Sequence, residues 1–84
     1  MQLKNIKENE KAFVDLHGMT LEEAEIRLTE LLESLPKSIR AIEVMHGYHR
    51  GTVLKNMVKQ DFYHRRIVDR RTGLNPGVTW LLLK

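Results

Sequence analysis

Two separate stretches of this chain follow one plan: alternating apolar residues, then His-Gly, then a helix start. The first is Val14-Asp15-Leu16-His17-Gly18, with Thr20 just beyond it. The second is Ile42-Glu43-Val44-Met45-His46-Gly47, with Thr52 as a helix N-cap. Alternation at period two reads as a strand. In the first stretch it places Val14 and Leu16 on one face and Phe13, Asp15 and His17 on the other. Between the two strands, Thr20-Leu21-Glu22-Glu23 is a capping box. Leu21, Ala24, Leu28, Leu31, Leu32 and Leu35 then recur at helical spacing until Pro36 ends the helix. Strand, helix and strand in this order favour a parallel pair joined by a right-handed crossover. Both His-Gly dipeptides then close their strands at the same edge of one sheet. In α/β sheets that edge, at the carboxyl ends of parallel strands, is where ligands gather.

The remaining segments complete a small α/β domain. Strand one is read as Ala12 to His17 and strand two as Ile39 to His46. A second helix is expected from Thr52 to about residue 61 or 62, with Leu54, Met57 and Val58 inward. His64 to Asp69 reads as strand three, Arg70 to Gly77 as a turn, and Val78 to Leu83 as a nearly continuous apolar final strand. Trp80 within it is assigned to packing. The order β-α-β-α-β-β, with a short link between the last two strands, predicts a two-layer α+β sandwich. It is a four-stranded mixed sheet with both helices on one face and the other face partly open. Residues 1–11 are read as a charged, loosely held lead-in and residues 12–84 as the domain.

Composition excludes several classes. The 84 residues give room for one domain. The absence of cysteine removes disulfides and thiolate metal sites. No apolar run nears the roughly 20 residues that span a bilayer. The polar N-terminus has no signal-peptide pattern, which points to a cytoplasmic protein. No heptad repeat or evident apolar patch argues for an oligomer, so a monomer is expected. The net charge of +3 conceals an asymmetry. Residues 1–35 hold four basic and eight acidic side chains, whereas residues 36–84 hold ten basic and three acidic ones. A basic half on a folded domain suits a polyanion, although a solvated surface has the same composition.

Two segments could carry chemistry. Asp15 and His17, two apart on a strand, share a side, where a carboxylate can orient an imidazole for acid–base work. The alternative is a polar strand end in which Asp15 bonds backbone amides. The second segment is His46-Gly47-Tyr48-His49-Arg50-Gly51 before Thr52. Free amides entering a helix suit phosphate oxygens. Arg50 and Lys55 could offset the phosphate charge, and Tyr48 could stack on a base. The alternative is a βα turn whose glycines serve geometry alone. Arg70 and Arg71, placed in the last turn, could swing toward a nucleic-acid backbone, or could guard a sheet edge against aggregation. The His46-x-x-His49 spacing is not read as a permanent zinc site. The metal expectation is limited to a loosely held divalent cation, Mg2+ or Mn2+, beside Asp15.

These residues resemble the Smr (small MutS-related) domain family. Val14-Asp15-Leu16-His17-Gly18 is similar to its Leu-Asp-x-His-Gly motif, followed by Met19-Thr20. His46-Gly47-Tyr48-His49-Arg50-Gly51 is similar to its His-Gly-x-Gly-x-Gly loop, with His49 in place of the middle glycine. Pro76-Gly77-Val78-Thr79 resembles its last strand. The match spans about residues 12–84 with the motifs in order. The resemblance implies a fold like the C-terminal domain of bacterial translation initiation factor three. It also implies binding to DNA or RNA, with endonuclease or nicking activity in several members. By resemblance, Asp15 and His17 fall on the cleavage motif, and His46, Gly47 and Gly51 on the substrate loop. A non-catalytic module that recognises nucleic-acid structure, free or at the ribosome, is the alternative.

Overall fold

The computed structural model describes residues 6–47 and 52–84. Its strands are β1 (Lys11–Asp15), β2 (Ala41–Met45), β3 (Ile67–Thr72) and β4 (Val78–Leu83). Helix α1 spans Leu21–Ser34, and helix α2 spans Val53–Asn56. The four strands form one mixed sheet in the order β1-β2-β4-β3. β1 and β2 run parallel, and β4 pairs antiparallel with both β2 and β3. Both helices pack on one face, as the topology predicts. Val14, Ile42, Val44, Leu81 and Leu83 meet Ala24, Leu28 and Leu32 of α1 there, with Met57 and Val58 beside α2. Burying each valine, leucine, isoleucine or methionine among them contributes about 1.5–3 kcal/mol, which makes this layer the main source of stability.

Helix α1 begins where the capping box requires. The Thr20 hydroxyl accepts from the Glu23 amide at 3.1 Å, and Glu23 Oε1 accepts from the Thr20 amide at 2.9 Å. Leu21, expected in the apolar stripe, is 42% exposed and stays outside it. The far end of α1 has a partner the sequence does not reveal. The Arg66 guanidinium donates to the carbonyls of Leu32, Leu35, Pro36 and Ile39 at 3.1, 2.8, 3.2 and 3.3 Å. Helix ends leave such carbonyls without intrahelical donors, and a planar fork of N–H groups answers several at once.

The second helix differs from its expectation. Only Val53–Asn56 is α-helical, and a π-helical turn, Met57–Asp61, follows. The Thr52 hydroxyl does not cap the helix but accepts from the Asn56 side chain at 3.2 Å. The wider turn buries the adjacent Met57 and Val58 together. It closes with the Phe62 amide donating to the Met57 carbonyl at 2.8 Å. Strand β3 is displaced toward the C-terminus. His64 lies before it, and Arg70 and Arg71 lie within it. Pairing decides this: Ile67 sits opposite Leu83 and Thr72 opposite Thr79, with a register shift between Ile67 and Asp69.

The sheet's second face is partly open, but it is not bare. Ile6 packs on Ala41 and Leu82, with Trp80 at the margin. A 3-10 turn at Glu8–Glu10 leads into β1. Residues 6–10 are therefore tied to the sheet, unlike the loose lead-in expected of them. Trp80 packs on this face and not in the helix-side core, and the Lys11 ammonium lies 5.5 Å from its ring centre. Among the described residues, no helix is long and apolar enough to cross a membrane.

Candidate active site at the strand ends

The β1–β2 ladder is in register from Lys11↔Ala41 to Asp15↔Met45. The Leu16 amide extends it by donating to the Met45 carbonyl at 2.7 Å. The chain then turns sharply, with the Met19 amide donating to the Leu16 carbonyl at 3.0 Å. Gly18, third in that turn, has φ +84°, the positive value that a type II turn demands there. The turn holds the His17 side chain out in solvent, 67% exposed, while Leu16 is fully buried.

Asp15 and His17 come together as their spacing suggests. Asp15 Oδ1 accepts from His17 Nδ1 at 2.6 Å and from the His17 backbone amide at 3.0 Å. Both earlier readings of Asp15, imidazole partner and amide acceptor, are realised by one oxygen. The bond from the imidazole holds the Asp15 carboxyl below its ordinary value of 3.8, against the opposing push of desolvation. An ionised acceptor at Nδ1 requires the proton to sit there. Nε2 is therefore the nitrogen left to give or take a proton. Among the described residues Nε2 has no partner.

His46 ends the neighbouring strand, yet it has a different role. It is 4% exposed. Its Nδ1 donates to the Gly47 carbonyl at 2.8 Å, so Nε2 must accept from the Thr79 hydroxyl, also at 2.8 Å. Burial pushes the His46 pKa below 6.5, with Lys55 and Lys59 nearby adding to the effect. A neutral ring with both nitrogens engaged braces the loop and has nothing left for a phosphate. The sequence expects His46 to contact nucleic acid; in the structure its two ring nitrogens are taken by Gly47 and Thr79. Gly47 has φ +76°, and a Cβ placed on it would lie 3.6 Å from the His17 Cβ. The two strand ends are thus side by side. The His46 and Gly47 amides both donate to the Gly77 carbonyl, at 2.8 and 3.1 Å, which ties the second strand end to the β3–β4 turn.

The other expected residues divide. Lys55 lies on α2, and its charge acts on His46, so it belongs to this end of the sheet. Lys59, not singled out from the sequence, acts on His46 in the same way. Tyr48, His49, Arg50 and Gly51 lie outside the described residues. Arg70 and Arg71 are not in the turn where the sequence placed them. Arg70 reaches under the sheet and donates to the carbonyls of Val58 and Phe62. Arg71 pairs with Asp69 at 2.8 Å on the strand farthest from β1. Three strand spacings of about 4.8 Å separate it laterally from the Asp15–His17 pair. As for a cation, only Oδ2 of Asp15 is uncommitted. Among the described residues no three His, Cys, Asp or Glu side chains converge as a ligand set. These donors fit a caged metal poorly.

Beside His17, along the outer face of α1, runs an open groove of 460 Å³, with Gly18, Met19, Ile26 and Arg27 among its walls.

The Smr domain model matches residues 14–84, from the end of β1 through β4. No curated protein matches the chain. Among solved structures, the Smr domain of Thermus thermophilus MutS2 has the same fold. The TM-score is 0.69 at 21% sequence identity, covering 87% of this chain and 98% of that one. With a family match over most of its length, the chain belongs to the Smr domain family.

Proposed function

We propose that this domain binds RNA at the β1–β2 strand ends and cleaves its backbone there, with His17 as general base. The observation that carries this reading is the Asp15–His17 bond. It fixes the imidazole tautomer and leaves Nε2 uncommitted on an exposed side chain. Membership of a nucleic-acid-binding, nuclease-type family supports it. RNA is favoured over DNA by the donor set. RNA supplies its own nucleophile, the 2′-hydroxyl, whereas water attack on DNA calls for stronger activation, usually by metal.

In this mechanism neutral His17 Nε2 takes the proton of the 2′-hydroxyl as its oxygen bonds to phosphorus. The bond from phosphorus to the 5′ oxygen breaks, that oxygen takes a proton from water, and the imidazolium returns its proton to the hydroxide so formed. The products are a 2′,3′-cyclic phosphate and a 5′-hydroxyl end. Asp15 holds the ring in place and stabilises the imidazolium that forms. Lys55 and Lys59 lend positive potential to the same end of the sheet.

The test uses the purified protein, a labelled RNA, the same strand with 2′-deoxy sugars, and a supercoiled plasmid, each with and without Mg2+ or Mn2+. His17→Ala and Asp15→Ala are expected to abolish RNA cleavage while sparing binding in a mobility-shift assay. Unchanged cleavage in both variants would rule out the mechanism. Cleavage of the plasmid alone, and only with metal, would replace it with hydrolysis of DNA. Salt-dependent binding with no turnover on any substrate would leave the non-catalytic module as the function.

A further inference from the structure

Helix α1 carries five acidic residues and a single cation, Arg27. Glu23 precedes Arg27 by four residues and Glu30 follows it by three, both spacings at which helical ion pairs form. Glu23 Oε1 is occupied by the Thr20 amide of the capping box. Among the described residues Arg27 has no carboxylate within 4.0 Å, and neither has Glu30 a cation. Both side chains instead line the 460 Å³ groove whose far wall is the His17 turn. Ile26, 53% exposed, and half-buried Met19 give the groove an apolar surface that no part of the described chain covers. Its volume lies in the range that holds a single small ligand.

From this arrangement we infer that the groove is a base-binding subsite, and that its occupant is an unpaired guanine. The inference rests on the reading of His17 as the residue that meets the phosphate. The groove is continuous with that residue, so a nucleotide whose phosphate lies at His17 has its base beside Met19 and Ile26. The charged residues that α1 contributes to the groove then select the base. A guanidinium fork matches the O6 and N7 acceptors of guanine as a bidentate pair. A carboxylate matches the N1–H and N2–H donors on its other edge, which is accessible only in an unpaired base. Adenine offers Arg27 one acceptor in place of two, and the pyrimidines have less surface to cover the apolar wall. Two carboxylates in a nucleic-acid site, unfavourable toward phosphate, are accounted for when the base and not the backbone faces them.

Methyl NMR of the intact chain tests this independently of cleavage. The probes are 5′-GMP, 5′-AMP, 5′-CMP, 5′-UMP and inorganic phosphate. The reporters are the Ile26 δ1 and Met19 ε methyls for the groove and the His17 ring for the phosphate position. All five probes are expected to shift His17, and only nucleotides the two methyls. GMP is expected to bind about tenfold tighter than the others, the low end of what one bidentate base contact discriminates. Arg27→Gln, at an exposed position, is expected to erase that preference without moving the response to phosphate. Ile26→Ala is expected to weaken all four nucleotides alike. Methyls that stay silent while His17 responds to phosphate would overturn the subsite and leave the phosphate position standing. Equal affinity for the four bases, or an undiminished GMP preference in Arg27→Gln, would overturn the guanine assignment. Silence of every reporter toward every probe would defeat this inference together with the function it rests on.

Discussion

Replacing Thr79 with valine isolates the role assigned to His46. Valine keeps the shape of threonine and deletes only the hydroxyl, in a side chain that is 1% exposed. His46 Nε2 then loses its donor at 2.8 Å inside a site where the ring is 4% exposed and water has little access. Stranding one partner of a buried hydrogen bond costs about 1–3 kcal/mol. In a chain of this size each kcal/mol lowers Tm by about 4–8 °C, so Thr79→Val is expected to melt about 5–20 °C below the parent. Removing both partners should cost less than the two single changes together, because no buried lone pair remains to be answered. A double-mutant cycle with His46→Leu is therefore expected to show a coupling of at least about 1 kcal/mol, above the scatter of independent sites. Urea denaturation of the four proteins at neutral pH measures it. Additivity within about 0.5 kcal/mol, or a Thr79→Val variant as stable as the parent, would refute the argument that His46 is a structural brace.

Two further predictions follow the same reasoning. Arg66→Ala removes four carbonyl contacts at the end of α1 and is expected to cost about 2–3 kcal/mol, since bonds from charged donors are the stronger kind. Arg65→Ala, which loses only a 3.9 Å exposed pair with Glu33, should stay within about 0.5 kcal/mol of the parent, and equal losses in the two melts would refute the capping role. As for pH, the folded-state pKa of His46 is depressed below 6.5, so its contribution to stability is complete above that value. It is lost as pH falls from 6.5 toward the folded-state value, because over that interval the unfolded chain binds a proton that the folded chain does not. Stability measured from pH 8 downward should decline in that interval in the parent, and the same limb should be absent in His46→Leu.

Much of this architecture is written in local patterns. The capping box at Thr20 and Glu23 and the strand Val78–Leu83 need only near neighbours, and both stand where the sequence puts them. The arginines are less legible. Nothing local marks Arg66, and Arg70 reads as a turn residue, but each is claimed by carbonyls that lack donors only after distant segments have met: the end of α1 for one, the π-helical turn for the other. Strand β3 likewise starts where β4 can pair with it, a long-range condition that local propensity does not encode.

The two His-Gly motifs teach a sharper lesson about the site itself. They look equivalent, yet the parallel register sets Val14 opposite Val44 and Asp15 opposite Met45, so His46 comes one residue after its end of the ladder and His17 two residues after its own. The histidines are therefore one residue out of phase, and successive strand residues face opposite sides. His46 shares parity with Ile42 and Val44 and turns toward the helices, where Thr79 receives it. His17 shares parity with Phe13 and Asp15 and turns outward. That distinction was present in the period-two pattern, which pairs His46 with inward Ile42 and Val44 as plainly as it pairs His17 with Asp15. A one-residue offset between two copies of a dipeptide thus divides the labour: one imidazole has both nitrogens engaged within the fold, and the other is left, among the described residues, with a free nitrogen.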